Sequence, residues 1–421
     1  MIEVLKDEIV MSPGPIDAHA HPRVFDAVTD DQYRPNFIDL DGKAGLRQYS
    51  RNALASGFVG MIAMPNESLR LVSATDPMRS DVHPYPIANL DRLRAMQASI
   101  SQESYIPTGI HFGIDPVTAY KEISTGEKTL DLGYLSSQFE AVRDEVLGLK
   151  LYGAETEGGY NVRVNGIPLI IWSWNRSNPD KPVVLHLEDE DVAGVLEQIA
   201  DRKEYDVPLH VAHVSSRREL EAVMEAKQKG LNVTCEVTPH HLFMDESTRY
   251  ELGGYGCMKP TLKSQDDIDF IWENIDQVDI FASDCAPHRT KDKVGEAPAY
   301  GVVNHTVMLP LLFGAAEFGR ITYEQIYDKT VIAPRRRFNL PDDVLSRVVF
   351  DREGTNPSRI ERRVNPGYDN NPFVRTREHY PMIGNLMHAH TSSGNRYSSS
   401  YPGFERITTR SHLLRPVRKK D

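Results

Sequence analysis

Eight short apolar runs alternate with amphipathic stretches between residues 16 and 284, and this rhythm constrains the fold more than any other feature. The runs lie at 16–21, 58–64, 106–112, 146–152, 182–187, 208–213, 231–237 and 278–284. Between most of them sit helical patterns, at 43–56, 87–101, 132–143, 189–201, 217–229 and 265–273. Short strands separated by single helices imply parallel pairing through crossover connections. Eight such units match the count of a (β/α)8 barrel of the TIM type, an α/β fold. A doubly wound open sheet is the alternative. No G-x-G-x-x-G or G-x-x-x-x-G-K-[ST] follows any run, which weakens the nucleotide-binding form of that alternative.

After the eighth run comes a polar loop at 285–301, then helical patterns at 304–318 and 322–329. Beyond about residue 351 the chain becomes rich in Pro, Gly, Ser, Asn and Arg and loses any sustained period. The expected organisation is a barrel over residues 1–350 and an irregular, loop-rich C-terminal extension over 351–421 that packs on the barrel or trails from it. No internal repeat is visible. The net charge of −12 argues against a nucleic-acid partner, which needs a basic footprint. A small anionic substrate remains compatible with it, since one local Arg can override the global sign. Cys235, Cys257 and Cys285 form no C-x-x-C pair and no disulfide framework, which suits a reducing cytoplasm. The most apolar stretch, Ile167 to Trp174, is too short to span a bilayer, and the first residues show no signal-peptide pattern.

The ends of the runs carry the chemistry. His19 and His21 close the first, two residues apart, so period-two alternation points both the same way. Arg23 follows as a candidate anion clamp. Asn66 follows the second run, Lys150 sits inside the fourth, and His186, His213 and Asp284 end the fifth, sixth and eighth. In a barrel the C-terminal strand ends converge on one mouth, where active sites sit. A single His on a strand is more often a hydrogen-bonded core residue than a ligand, and Asp284 could simply cap a helix. The coincidence of these metal-ligand types at corresponding ends favours a metal site. Lys150 is expensive to bury as a cation unless its stem packs and its head snorkels. A buried Lys can instead lose its proton, and the neutral amine can take up CO2 as a bridging carbamate. His210 has the opposite parity to His213 and is expected to face the helices.

Several stretches together resemble the dihydroorotases of the amidohydrolase superfamily, and most of all the dihydroorotase domain of the animal multifunctional pyrimidine-synthesis enzyme. They are Ile16-Asp-Ala-His-Ala-His-Pro-Arg23, Ala63-Met-Pro-Asn66, Gly148-Leu-Lys-Leu-Tyr152, Thr234-Cys-Glu-Val-Thr-Pro-His-His-Leu-Phe243, Trp272-Glu-Asn274, Phe281-Ala-Ser-Asp-Cys-Ala-Pro-His288 and Met308-Leu-Pro-Leu-Leu312. The resemblance implies two zinc ions per chain. His19, His21 and Asp284 would hold one, His186 and His213 the other, with carboxylated Lys150 and a hydroxide bridging them. It implies reversible cyclisation of N-carbamoyl-L-aspartate to L-dihydroorotate, with Asp284 as the proton carrier. Arg23, Asn66 and His288 would bind the substrate, joined by Thr156 on a loop after Lys150 and by Lys259, where a relative carries arginine. Glu236, His240 and His241 are candidates for supporting or extra-metal roles. The resemblance further implies a homodimer, an association with aspartate transcarbamoylase, and no membrane partner.

Some positions depart from the family pattern: Glu67 where Thr is usual, Cys285 where His is common, and only 15 residues before the first strand, too few for the usual N-terminal β-structure. A sister cyclic-amide hydrolase, such as an allantoinase or dihydropyrimidinase, would share the metal cage. Arg23, placed for a substrate carboxylate, argues against it. An inactive homologue acting as a scaffold for the transcarbamoylase is the other alternative, and the intact set of ligand-type residues counts against that.

Overall fold

The computed structural model describes residues 1–22, 24–29, 46–65, 68–73, 87–124, 127–154, 161–202, 206–288, 290–343, 345–353, 371–375, 382–383, 385–391, 396–398, 403–405 and 414. Eight strands form its central sheet: β1 (Ile16–Ala20), β2 (Gly60–Ala63), β3 (Thr108–Phe112), β4 (Gly148–Tyr152), β5 (Val183–His186), β6 (Leu209–Val211), β7 (Val233–Val237) and β8 (Ile280–Phe281). They lie side by side in chain order, each parallel to the next. Between the two edges a parallel bridge joins Ala20 to Cys285, and the His21 amide donates to the Cys285 carbonyl at 3.1 Å. The sheet is thus brought round into a barrel, as the count of apolar runs predicts.

Two separate apolar clusters follow from strand alternation. One fills the barrel: Ile16, Ala18, Ile62, Val184, Ala212, Ile280 and Ala282 point inward, and Phe338 and Leu340 close the floor. The other lies between strands and helices, from Met61, Leu149, Leu151, Leu185, Val211 and Phe281 outward to Leu93, Phe139, Trp174 and Val223. A closed parallel sheet is covered on both faces, which is why its strands read as continuous apolar runs.

The helices around the barrel are α1 (Leu46–Ala55), α2 (Leu90–Glu103), α3 (Leu132–Ala141), α4 (Ile167–Ser177), α5 (Glu190–Ala200), α6 (Arg217–Gln228), α7 (Gln265–Glu273) and α8 (His305–Glu317). Their starts obey local chemistry. Asn89 and Asp131 cap α2 and α3, and reciprocal Ser/carboxylate boxes open α6 (Ser216 with Glu219) and α7 (Ser264 with Asp267). Helix α4 lacks a clean polar face, burying six of its first eight residues from Ile167 to Trp174, so its 3.6-residue period is hidden in the sequence.

The chain ends meet in a second sheet. Glu8–Met11 pairs antiparallel with Ile2–Val4 on one side and with Arg347–Asp351 on the other. Asn385–His390, Arg396–Ser398 and Gly403–Glu405 extend it in turn. The 15 residues before β1 therefore supply only a hairpin, and residues from the C-terminal side complete the β-structure. No described helix is long and apolar enough to cross a membrane.

Candidate active site

β1 does not keep strict alternation. Asp17 lies opposite Met61, but Ala20 lies opposite Ala63, so β1 contains one residue more than β2 over this span. Such a bulge turns the following side chains by one position. Ile16 and Ala18 consequently line the barrel, while Asp17 points outward to accept hydrogen bonds from the Ser283 amide (3.0 Å) and hydroxyl (2.5 Å) and to meet His305 Nε2 at 2.8 Å. After the bulge His19 and His21 both reach the mouth, their rings 5.1 Å apart.

His19, His21 and Asp284 present one ligand atom each within 4.8 Å of one another. Asp284 Oδ1 lies 3.4 Å from His19 Nε2 and 3.1 Å from His21 Nε2. Across the mouth, His186 Nδ1 and His213 Nε2 are 2.7 Å apart, and the His213 ring stands 5.3 Å from that of His19. Lys150 reaches in from β4, two register steps below the Tyr152–His186 pair. Its side chain is fully buried, and Nζ has no hydrogen-bond partner among the described residues.

Electrostatics follow from this crowding. Burial pulls the Lys150 amine down to about 8, against partial support from Glu236 and Asp284. Burial, with Lys150 next, also lowers the His19 imidazole. His213 falls well below the usual histidine range through burial and the neighbouring His186. Burial alone would raise the Asp284 carboxyl, but His19 and His21 hold it well below the ordinary carboxylate range. The result is neutral imidazoles facing a carboxylate beside an easily deprotonated amine, which is the donor set a pair of divalent cations requires.

Glu236 underlies this group. One carboxylate oxygen pairs with His19 Nδ1 and the other lies 3.1 Å from His210 Nε2. A carboxylate behind a ligand-type imidazole fixes the tautomer and ring orientation. His210 thus corrects the parity reading: it faces the barrel interior and packs on Phe338, its Nδ1 2.8 Å from Thr234 Oγ1. The error arose because regular β6 ends at Val211, and His213 sits beyond it at φ +38°. Period two does not count through such a residue.

The remaining candidates divide. His240 Nδ1 lies 3.1 Å from Asn304 Nδ2, which also donates to the Ser283 carbonyl at 2.6 Å. His241 bridges Thr238 Oγ1 (2.9 Å) and the Pro260 carbonyl (3.1 Å), so it holds the loop carrying Lys259. Lys259 Nζ lies 5.3 Å from the Tyr300 ring centroid, and His288 Nε2 donates to the Tyr300 carbonyl at 2.7 Å. These two share a neighbour on the rim of the mouth. Arg23, Asn66, Glu67 and Thr156 lie outside the described residues. Asp17, His210, Asn304 and His305 were not singled out as functional in the sequence. For Asp17 the signal was present, two residues before His19, but the bulge sends it to the opposite face.

Solved structures agree on the fold. The L-hydantoinase (dihydropyrimidinase) of Arthrobacter aurescens superposes with a TM-score of 0.69 at 16% identity, covering 96% of this chain and 88% of that one. The inactive dihydroorotase-like domain of the Chaetomium thermophilum CAD-like multifunctional protein gives 0.62 at 16% identity, covering 98% of each.

By sequence the chain is similar to multifunctional proteins and to proteins named dihydroorotase. It is 33% identical to the multifunctional protein CAD of Squalus acanthias over 223 residues, 52% of this chain. It is 28% identical to the multifunctional protein pyr1-3 of Dictyostelium discoideum over 358 residues, 84% of this chain. These matches span only 10% and 14% of the two relatives' own length. The dihydroorotase of Pyrococcus furiosus is 28% identical over 343 residues, covering 80% of this chain and 69% of that enzyme. No protein-family model matches the chain.

Proposed function

We propose that this protein is a zinc-dependent dihydroorotase, interconverting N-carbamoyl-L-aspartate and L-dihydroorotate. The observation that carries the reading is Lys150. Its amine is buried, has no hydrogen-bond partner among the described residues, and lies among His19, His186, His213 and Asp284. A Lys there as a lasting cation would be costly, whereas a carbamate on Nζ would supply two oxygens to two cations. His19, His21 and Asp284 would hold one zinc, His186 and His213 the second, and carboxylated Lys150 would bridge them. Bound zinc lowers the pKa of water and polarises an amide carbonyl.

The chain's own residues do the rest. In ring opening, Asp284 accepts a proton from the attacking water and delivers it to the leaving amide nitrogen; in ring closure it carries the proton the other way. Its depressed pKa keeps it ionised at neutral pH. Glu236 keeps the His19 ring oriented. Arg23 and Asn66 bind the substrate carboxylate, assisted by His288 and Lys259 at the rim and by Thr156 on the loop after β4. Lys259 is a point charge where a guanidinium fork would fix a plane, so it selects for charge more than for orientation. The enzyme works in the cytoplasm as a homodimer, in contact with aspartate transcarbamoylase.

The test is a substrate panel on zinc-loaded protein: L-dihydroorotate, allantoin and dihydrouracil, each followed by loss of the ring. Turnover of dihydroorotate alone supports the reading. Preference for either uncharged ring would move the protein to the hydantoinase side of the class, and no turnover with two zinc ions bound would make it an inactive relative.

A further inference from the structure

Glu219 is a buried carboxylate in the first turn of α6, away from the ligand-type side chains. As a member of a capping box it needs to accept only the Ser216 amide, and that is its longest contact, 3.3 Å. Its other contacts go elsewhere. Oε2 also accepts from the Ser215 amide at 2.6 Å and the Ser215 hydroxyl at 3.1 Å. Oε1 accepts from the Asp189 amide at 3.0 Å, on the loop after β5. One oxygen therefore serves the loop that follows His213 and the other the loop that follows His186. Lys263 completes the cluster through both oxygens of Asp189, at 3.0 and 3.1 Å.

The backbone at these loops explains why a clamp is needed. His213 has φ +38° and Asp189 has φ +47°, and neither is glycine. Left-handed non-glycine residues persist only where their surroundings over-determine them. Each lies within two residues of, or at, an amide that Glu219 accepts. The two loops diverge from adjacent strands, and the Glu219 carboxylate accepts from both.

We propose that Glu219 is a positioning residue that locks the His186 and His213 rings into a single binding geometry, so that loss of its carboxylate selectively weakens the second metal ion. This rests on the reading that these two histidines hold a metal. The test uses cobalt(II) as probe, titrated into metal-free protein and followed by its visible absorption. The wild type is expected to take up two equivalents. In Glu219→Gln the amide group can accept through only one atom and turns an NH2 toward a donor. The second equivalent should then bind about 10–100-fold more weakly with an altered spectrum, while the first is unchanged. Asp131→Asn is the control, since Asp131 is likewise a carboxylate at a helix start, accepting the Tyr134 amide in α3. It should leave both equivalents as in the wild type. Should Glu219→Gln fail to fold, Ser215→Ala removes one donor from the same oxygen and should weaken the second equivalent a few-fold. Two wild-type-like equivalents in Glu219→Gln, or equal weakening in Asp131→Asn, would overturn the proposal. A wild type that binds no pair of ions would overturn the metal reading itself, and the proposal with it.

Discussion

The state of Lys150 yields a quantitative prediction about how the site is assembled. Only the neutral amine can attack CO2, so the carboxylation rate follows the neutral fraction. An ordinary lysine, near 10.5, is about 0.1% neutral at pH 7.5. With its pKa at about 8, Lys150 is roughly one quarter neutral at that pH, a gain of more than two orders of magnitude. The shape of the pH dependence changes too. From pH 7 to pH 9 the neutral fraction of Lys150 rises about tenfold and flattens above pH 8, whereas an unperturbed amine would rise about a hundredfold without flattening. The assay strips metal with a chelator, then restores zinc at several pH values and constant dissolved CO2, following recovery of dihydroorotate turnover and incorporation of 13C from labelled bicarbonate. A saturating profile with its midpoint near 8 is expected. A rate still climbing as for a free lysine at pH 9, or recovery indifferent to CO2, would refute the role given to this amine.

Three further outcomes are expected. Asp284→Asn should leave the circular dichroism spectrum intact and lower turnover by about 10²–10⁴-fold, the usual scale of a general acid–base group; near-normal turnover would remove Asp284 from proton transfer. Arg23→Met should lower kcat/KM for dihydroorotate by about 30–150-fold, or about 2–3 kcal/mol, as one side of a charge-assisted pair, and unchanged kinetics would place Arg23 elsewhere. The third concerns the buried His305–Asp17 pair. Burial would lower the His305 imidazole, but Cys285 and Asp17 reverse this and raise it to about 10. A group raised above its unfolded value stabilises fully below about 6.5 and loses that contribution as pH rises through about 10. The stability gap between wild type and His305→Gln, from urea unfolding, should therefore shrink between pH 7 and pH 10; a gap that stays constant would contradict the pairing.

The barrel was legible because burial on both faces leaves eight apolar runs. Helix α4 was not, since apolar Leu169 and Trp172 stand on its solvent-facing side and hide the period. The second sheet was hidden for another reason. Its strands come from residues 2–11 and 347–405, and the pairing that joins the two groups, Glu8–Met11 with Arg347–Asp351, is non-local. At the mouth, residue types and strand ends located His19, His21, Lys150, His186, His213 and Asp284. What alternation could not supply was direction after an irregularity. The bulge in β1 separates Asp17 from His19, and the left-handed backbone at His213 reverses the parity that was assigned to His210. Glu219 shows the same limit: its grip on two loops depends on tertiary placement.

The most direct measurement is diffraction from crystals grown with zinc and bicarbonate, read at Lys150. Planar density for a carboxyl group beyond Nζ, flanked by two anomalous peaks at His19/His21/Asp284 and at His186/His213, is the predicted result. A bare amine, with zinc absent or confined to one side of the mouth, would contradict it.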